Sequence, residues 1–346
     1  MHCRVIGKLV LAAIAATLLL MPVQVAWAEP SPVQSPATSA EPGFVRGAYG
    51  KDSSPSGSET MAAYGFNAVM ADPYKQSLDP LAARGLKGVV WLGAWLNAPT
   101  CGFERDDATM RSEVAPIAGD PAILAYYLGD EPRVTECPGA PGLFKQRSDL
   151  VHSLDPGSRT FTVIQAFENG ITHDYKPWAG VVDILGFDVY PCVKASSTCD
   201  FSTIDSAIAD ISRAGITRYW AILGDFQDCY YRLPTPAELG SQFDHWARSN
   251  MSGYLVFSWS YQSRDAACTG TSLDLHTDNL AVLKAENART FMPAAGGAAE
   301  MSSSPISLRS SLAYVTSAGW LPPAGAAALL LCLAALIARG VRRRPR

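Results

Sequence analysis

Charge is scarce in this sequence. Only 17% of its 346 residues are Asp, Glu, Lys or Arg, and 28 basic residues against 32 acidic ones leave a formal net charge of −4. A nucleic-acid binder would carry a basic footprint, so that class is excluded. Histidine is scarcer still: there are five, they form no cluster, and no CxxC pair accompanies them. Zinc ligands at their usual spacing are therefore missing. No GxGxxG or Walker motif follows the first apolar run, which argues against a nucleotide-binding open sheet. No GxSxG is present, which removes a serine hydrolase of the nucleophile-elbow type. No metal or organic cofactor is implied. What is abundant is apolar material: 48% of the residues are hydrophobic and 10% aromatic, enough for a large core and too much for a disordered chain. The length allows two domains of about 150 residues or one large barrel or sandwich.

Both ends read as addresses. His2, Arg4 and Lys8 precede an apolar run from Leu9 to Leu20, and Ala26-Trp27-Ala28 supplies small residues around a cleavage point. This predicts a secretory signal peptide over 1–28, removed after Ala28. Residues 29–43 are rich in Pro and Ser and predict an exposed linker. Residues 291–319, rich in Ala, Ser and Gly, predict a flexible spacer. Leu321-Pro322-Pro323-Ala324-Gly325 then precedes an apolar stretch over 326–338 and a tail holding Arg339, Arg342, Arg343, Arg344 and Arg346. An apolar helix ending in arginines halts in a membrane with its basic end in the cytoplasm. The layout over 320–346 resembles bacterial sorting tails, with Ala324 where the LPxTG signal has Thr. It implies an exported protein held at the cell surface, on a bacterial membrane or cell wall, by a sortase, by an exosortase or as a plain anchor.

Six cysteines remain between the ends: Cys101, Cys137, Cys192, Cys199, Cys229 and Cys268. An even number in an exported chain reads as disulfides.

The body alternates between apolar strands and helical patterns. Strands are expected at 44–49, 66–71, 86–93, 123–128, 160–165, 181–189, 216–223 and 253–259. They are continuous apolar runs, as expected of strands buried on both faces. Helices are expected at 57–64, 77–84, 106–117, 141–154, 170–178, 202–214, 235–249 and 277–288, with Gly65, Gly85 and Gly215 closing three of them. Eight of each over 44–290 predict a single α/β domain, a (β/α)8 TIM barrel; an open doubly wound sheet is the alternative. Each cysteine follows a strand end, and neighbouring strands bring neighbouring loops together. Barrel geometry therefore pairs Cys101 with Cys137, Cys192 with Cys199 and Cys229 with Cys268.

Barrel enzymes place their reacting groups at the ends of the strands. The fourth strand ends in Asp130-Glu131-Pro132 after a wholly apolar run. Two adjacent half-buried carboxyls raise each other's pKa, which suits a general acid. The sixth strand contributes Asp188 and Tyr190, the seventh Asp225 and Gln227, and the eighth Trp259 with Tyr261 beyond. The second and fifth contribute Asp72, Tyr74 and Gln165. Aromatic faces stack on sugar rings, while carboxylates and amides bind hydroxyls. Bland readings accompany these: Asp130 as a turn cap, Asp188 as a buried structural carboxylate, Asp225 as a turn cap, and Trp91, Trp95 or Trp259 as core.

LAYYLGDEP resembles the fourth-strand region of TIM-barrel glycoside hydrolases, and ILGFDVYP and YLVFSWSY are similar to their sixth and eighth strands. In the large retaining clan the fourth strand ends in Asn-Glu with Glu as acid/base, and the seventh ends in a nucleophilic Glu. The resemblance implies that Glu131 is the acid, with Asp130 where the clan has Asn. The seventh strand, LGDFQD, has no Glu, so Asp188 or Asp225 is expected to act as base or nucleophile. An adjacent Asp-Glu pair is also similar to families whose Asp orients a substrate acetamido group. The resemblance implies an extracellular glycosidase acting on oligo- or polysaccharide. The alternatives are a glycan-binding barrel without catalysis and a surface scaffold with no glycan role. Carboxyl separation arbitrates: about 5–5.5 Å for retention, about 6.5–9.5 Å for inversion.

Overall fold

The computed structural model describes residues 43–50, 53–168, 171–172, 174–260, 268 and 270–291. The expected signal peptide, the linker before Gly43, the spacer beyond Phe291, the C-terminal tail and Tyr261 lie outside those residues. Among the described residues no helix is long and apolar enough to cross a membrane.

Eight parallel strands close into one barrel. They are β1 (Val45–Ala48), β2 (Ala68–Ala71), β3 (Lys87–Trp91), β4 (Ile123–Asp130), β5 (Thr160–Gln165), β6 (Ile184–Val189), β7 (Tyr219–Gly224) and β8 (Gly253–Phe257). Each neighbours the next in sequence, and β8 returns to β1 in register from Val45 opposite Gly253 to Ala48 opposite Val256. Alternate residues such as Val89, Tyr127, Phe161, Trp220, Ile222 and Leu255 fill the lumen. The intervening ones, among them Val90, Tyr126, Phe187, Ala221 and Tyr254, lie under the surrounding helices. Two-sided burial is why the strands read as unbroken apolar runs. β4 runs two residues past the expected end and brings Asp130 into the ladder opposite Val163.

Seven α-helices surround the barrel among the described residues: α1 (Pro55–Ala63), α2 (Lys75–Ala82), α3 (Asp107–Val114), α4 (Ala140–Leu154), α5 (Ser202–Arg213), α6 (Pro236–Trp246) and α7 (Thr277–Ala288). Ser54 and Asp106 cap α1 and α3 by accepting from Gly57 N–H and Thr109 N–H, and Thr235 with Glu238 forms a capping box on α6. Gly65, Gly85 and Gly215 take φ of +82°, +71° and +75°, left-handed values that glycine adopts without a Cβ penalty.

The helix expected at 170–178 is corrected. Phe167–Glu168 pairs antiparallel with Ile171–Thr172, and a single 3-10 turn, Lys176–Trp178, follows. This antiparallel pairing and the 3-10 turn take the place of the expected helix.

Disulfides join Cys101 to Cys137, Cys192 to Cys199 and Cys229 to Cys268, all on the face where the strands end. The first links the loops after β3 and β4 across 36 residues. Replacing both Cys101 and Cys137 by Ser is expected to lower stability by roughly 2–4 kcal/mol. Urea unfolding of the oxidised proteins measures this, and an unchanged midpoint would contradict it.

Candidate active site

Glu131 is the first residue beyond β4, and its backbone has φ +46°. A non-glycine residue in that left-handed region costs of order 1–3 kcal/mol and persists only where its surroundings hold it. Three contacts do so. Glu131 N–H donates to Val163 C=O at 3.1 Å. Asn97 Nδ2 donates to Glu131 C=O at 3.0 Å. Asn97 Oδ1 in turn accepts from Arg133 N–H at 2.8 Å and from Trp95 Nε1 at 2.9 Å. Asn97 belongs to the loop after β3, where Trp95–Leu96 pairs with Gly102–Phe103 and the Cys101–Cys137 bridge ties the loop to its neighbour. The disulfide therefore braces the support of Glu131.

Three carboxyls meet at this rim. Asp188, on β6, is 4% exposed, and its carboxyl lies beside that of Glu131. Burial, then the Glu131 carboxyl, then the Asp130 charge hold the Asp188 carboxyl well above the usual aspartate range. Asp188 Oδ1 has no hydrogen-bond donor in the protein. Burial and the Glu131 charge push Asp130 up to about 7, against the opposing effect of a hydrogen bond from Tyr127. Tyr127 OH donates to Asp130 Oδ1, and Tyr49 OH donates to Tyr127 OH at 3.1 Å. Both tyrosines are pushed up by burial and by the Asp130 charge, so they remain proton donors.

Aromatic rings wall the site. Trp91 lies edge-on to Tyr127 at 4.8 Å, Tyr49 lies 5.6 Å from Phe257, and Tyr190 lies 6.1 Å from Phe257 and 5.3 Å from Tyr231. Tyr190 has room because residue 224 is glycine: a Cβ there would stand 2.8 Å from Tyr190 Cδ1.

The structure thus brings together Asp130, Glu131, Asp188 and Tyr190. Gln165, the last residue of β5, is in register with Asp188 and stands beside it on the rim. The other expected site residues lie elsewhere. Asp225 is 0% exposed; its Oδ1 accepts from Asn279 Nδ2 at 2.6 Å, and its Oδ2 has no donor. On β7 the inward positions are Trp220 and Ile222, so Asp225 follows the outward set with Ala221 and Leu223, toward α7. Trp259 is 6% exposed and lies 6.3 Å from both Tyr64 and Phe66, in the layer between barrel and helices. Tyr74 OH donates to Asp72 Oδ2 at 2.9 Å, and Tyr74 is half exposed at the end of β2. Gln227 is half buried on a short ribbon, opposite Thr271. The residues missed from the sequence are Tyr49, Trp91, Tyr127, Tyr231 and Phe257 of the walls, together with Asn97. Trp91 was legible, since it shares the inward alternation of Val89. Among the described residues, the grouping at metal-ligand spacing is Cys192, Cys199 and Glu238, and its two sulfurs are already joined to each other.

The sequence matches no family model, and no curated protein is recognisably similar to it. Solved structures share its fold. A β-galactosidase from the psychrophilic Marinomonas ef1 aligns with a TM-score of 0.53 and 10% identity over 70% of this chain and 59% of its own. A GH2 β-galacturonidase from Eisenbergiella tayi aligns with a TM-score of 0.53 and 14% identity over 70% of this chain and 50% of its own. A hyperthermostable endo-1,4-β-D-mannanase from Thermotoga petrophila RKU-1 aligns with a TM-score of 0.51 and 13% identity over 72% of this chain and 99% of its own. The chain spans between half and six-tenths of the first two enzymes. What these structures share with the chain is the closed eight-stranded (β/α)8 barrel.

Proposed function

We propose that this barrel hydrolyses glycosidic bonds of an oligo- or polysaccharide outside the cell, with Glu131 as general acid. The observation that carries this reading is the meeting of Asp130, Glu131 and the buried Asp188 at the strand ends of a barrel with this fold. Carboxyls crowded together favour keeping a proton among them, and a proton is what a leaving sugar oxygen needs. Glu131 gives the proton to the glycosidic oxygen as the bond to the anomeric carbon breaks. Asp130, titrating at about 7, suits a base that takes a proton from the attacking water. Proton transfer through solvent from Asp130 back to the Glu131–Asp188 pair restores the starting state. Asp225 has no role in this chemistry. Export through residues 1–28 and surface attachment through 320–346 belong to the same reading and rest on the sequence pattern.

The closeness of Asp188 to Glu131 also favours a second reading. Retaining and inverting pairs stand about 5 Å or more apart, whereas these two carboxyls lie side by side. A barrel that binds glycans without cutting them would have no need of that gap. Incubating the full chain, disulfides intact, with a panel of oligosaccharides and detecting new reducing ends separates the two. Turnover of at least one glycan is expected; binding without turnover would select the second reading.

A further inference from the structure

We propose that Thr162 is a positioning residue: its hydroxyl fixes an extra residue in β4, and that residue turns the Asp130 carboxyl out of the helix layer and into the barrel mouth. The inference rests on the reading above in which Asp130 is the base, and it assigns to that site a residue that touches no substrate. Side chains along a strand alternate between its two faces. On β4, Tyr127 faces the lumen with Phe161, and Leu128 faces the helix layer with Phe144. Continued alternation would return Gly129 to the lumen and send Asp130 to the helices. The structure does the opposite. A Cβ on Gly129 would stand 3.1 Å from Phe144 Cζ and 3.2 Å from Trp95 Cβ, so this position also faces the helix layer. Asp130 then faces inward, where its carboxyl accepts from Tyr127 OH.

The strand register shows the cause. Tyr127 stands opposite Phe161 on β5 and Asp130 opposite Val163, so Leu128 and Gly129 together face Thr162 alone. Two residues against one make a β-bulge, which re-aims the side chains beyond it. Thr162 is fully buried, and its Oγ1 donates to Gly129 C=O at 2.7 Å, inside the bulge. That carbonyl belongs to the planar peptide that joins Gly129 to Asp130. The hydroxyl therefore fixes the plane from which the Asp130 side chain departs. Valine has the same shape as threonine and no donor. With valine at 162 the Gly129 carbonyl would be buried unsatisfied, and the peptide would gain by turning toward another donor. Asp130 would turn with it, away from Tyr127.

The test compares Thr162→Val with Thr162→Ser, which keeps the hydroxyl, in the full chain with its disulfides intact. Proton NMR follows the hydrogen-bonded Tyr127 hydroxyl, whose signal is identified by its loss in Tyr127→Phe. That signal is expected to disappear or move in Thr162→Val and to stay in place in Thr162→Ser. On any glycan the protein turns over, Thr162→Val is expected to lower kcat about a hundredfold, the scale of a small misplacement of a reacting group. KM is expected to change far less, and Thr162→Ser to recover most of the rate. Gly129→Ala attacks the same bulge from the other side, through Phe144 and Trp95, and is expected to disturb the same signal should Thr162→Val not fold. A Tyr127 signal unchanged in the variant that folds would overturn the inference, and a lower urea midpoint beside it would leave Thr162 a purely structural role. Equal loss of kcat in Thr162→Val and Thr162→Ser would overturn it too. If no glycan is turned over, the hydrolase reading fails, while the NMR comparison still decides whether Thr162 places Asp130.

Discussion

Glu131→Gln is expected to lower kcat by about a thousandfold on any glycan the protein turns over, within the range for loss of a positioned general acid. The amide keeps the shape of the carboxyl, but it has no proton to give the leaving oxygen. The backbone at 131 is held by Asn97 and Val163 through main-chain atoms, so the substitution leaves those contacts in place. KM is expected to change far less than kcat, because the proton moves only as the bond breaks. A substrate with a good leaving group, such as a nitrophenyl glycoside, needs less protonation and should recover much of the rate. Loss that is equal on good and poor leaving groups would contradict the role of acid.

Asp225→Asn is expected to stabilise the protein above neutral pH and to leave turnover intact. Burial raises the Asp225 carboxyl to about 7 in the folded protein, despite the hydrogen bond from Asn279, while in the unfolded chain it titrates near 3.8. Below that lower value the group is neutral in both states, and its contribution to stability is fully present. As pH rises, the unfolded chain ionises first, so stability falls until the folded pKa is passed. Ionising a carboxyl held at about 7 rather than 3.8 costs on the order of 4 kcal/mol by pH 8. The amide is nearly isosteric, can still accept from Asn279, and never ionises. Urea midpoints of the two proteins should therefore coincide near pH 4 and separate by pH 8, with the variant higher. A loss of activity comparable to that of Glu131→Gln would return Asp225 to the catalytic machinery.

The barrel was legible because its strands are buried on both faces and are separated by capped helices. Asp130 and Glu131 were legible because two carboxylates after eight apolar or small residues have few structural uses. The partners were harder to read. Asp188 and Glu131 lie 57 positions apart in sequence, and the contact between them is made by barrel closure. The place of Asp225 was hidden for a similar reason: Asn279, which holds it, comes from α7, and a one-residue step beyond Gly224 turns a side chain from the lumen to the helices. Trp259 failed on an end position. The expected strand ran to residue 259, but β8 stops at Phe257, and the chain beyond it places Trp259 against Tyr64 and Phe66. The antiparallel pairing of Phe167–Glu168 with Ile171–Thr172 was hidden by a helical period.

The pH dependence of kcat/KM for the native protein and for Asp188→Asn tests the protonated rim most directly. If Asp188 is held protonated at the rim, as its burial dictates, the native rate should fall on the alkaline side only above neutrality. Removing the Asp188 carboxyl should then move that limb to lower pH, because the raised titration belongs to Asp188. An alkaline limb at the same pH in both proteins would contradict the account.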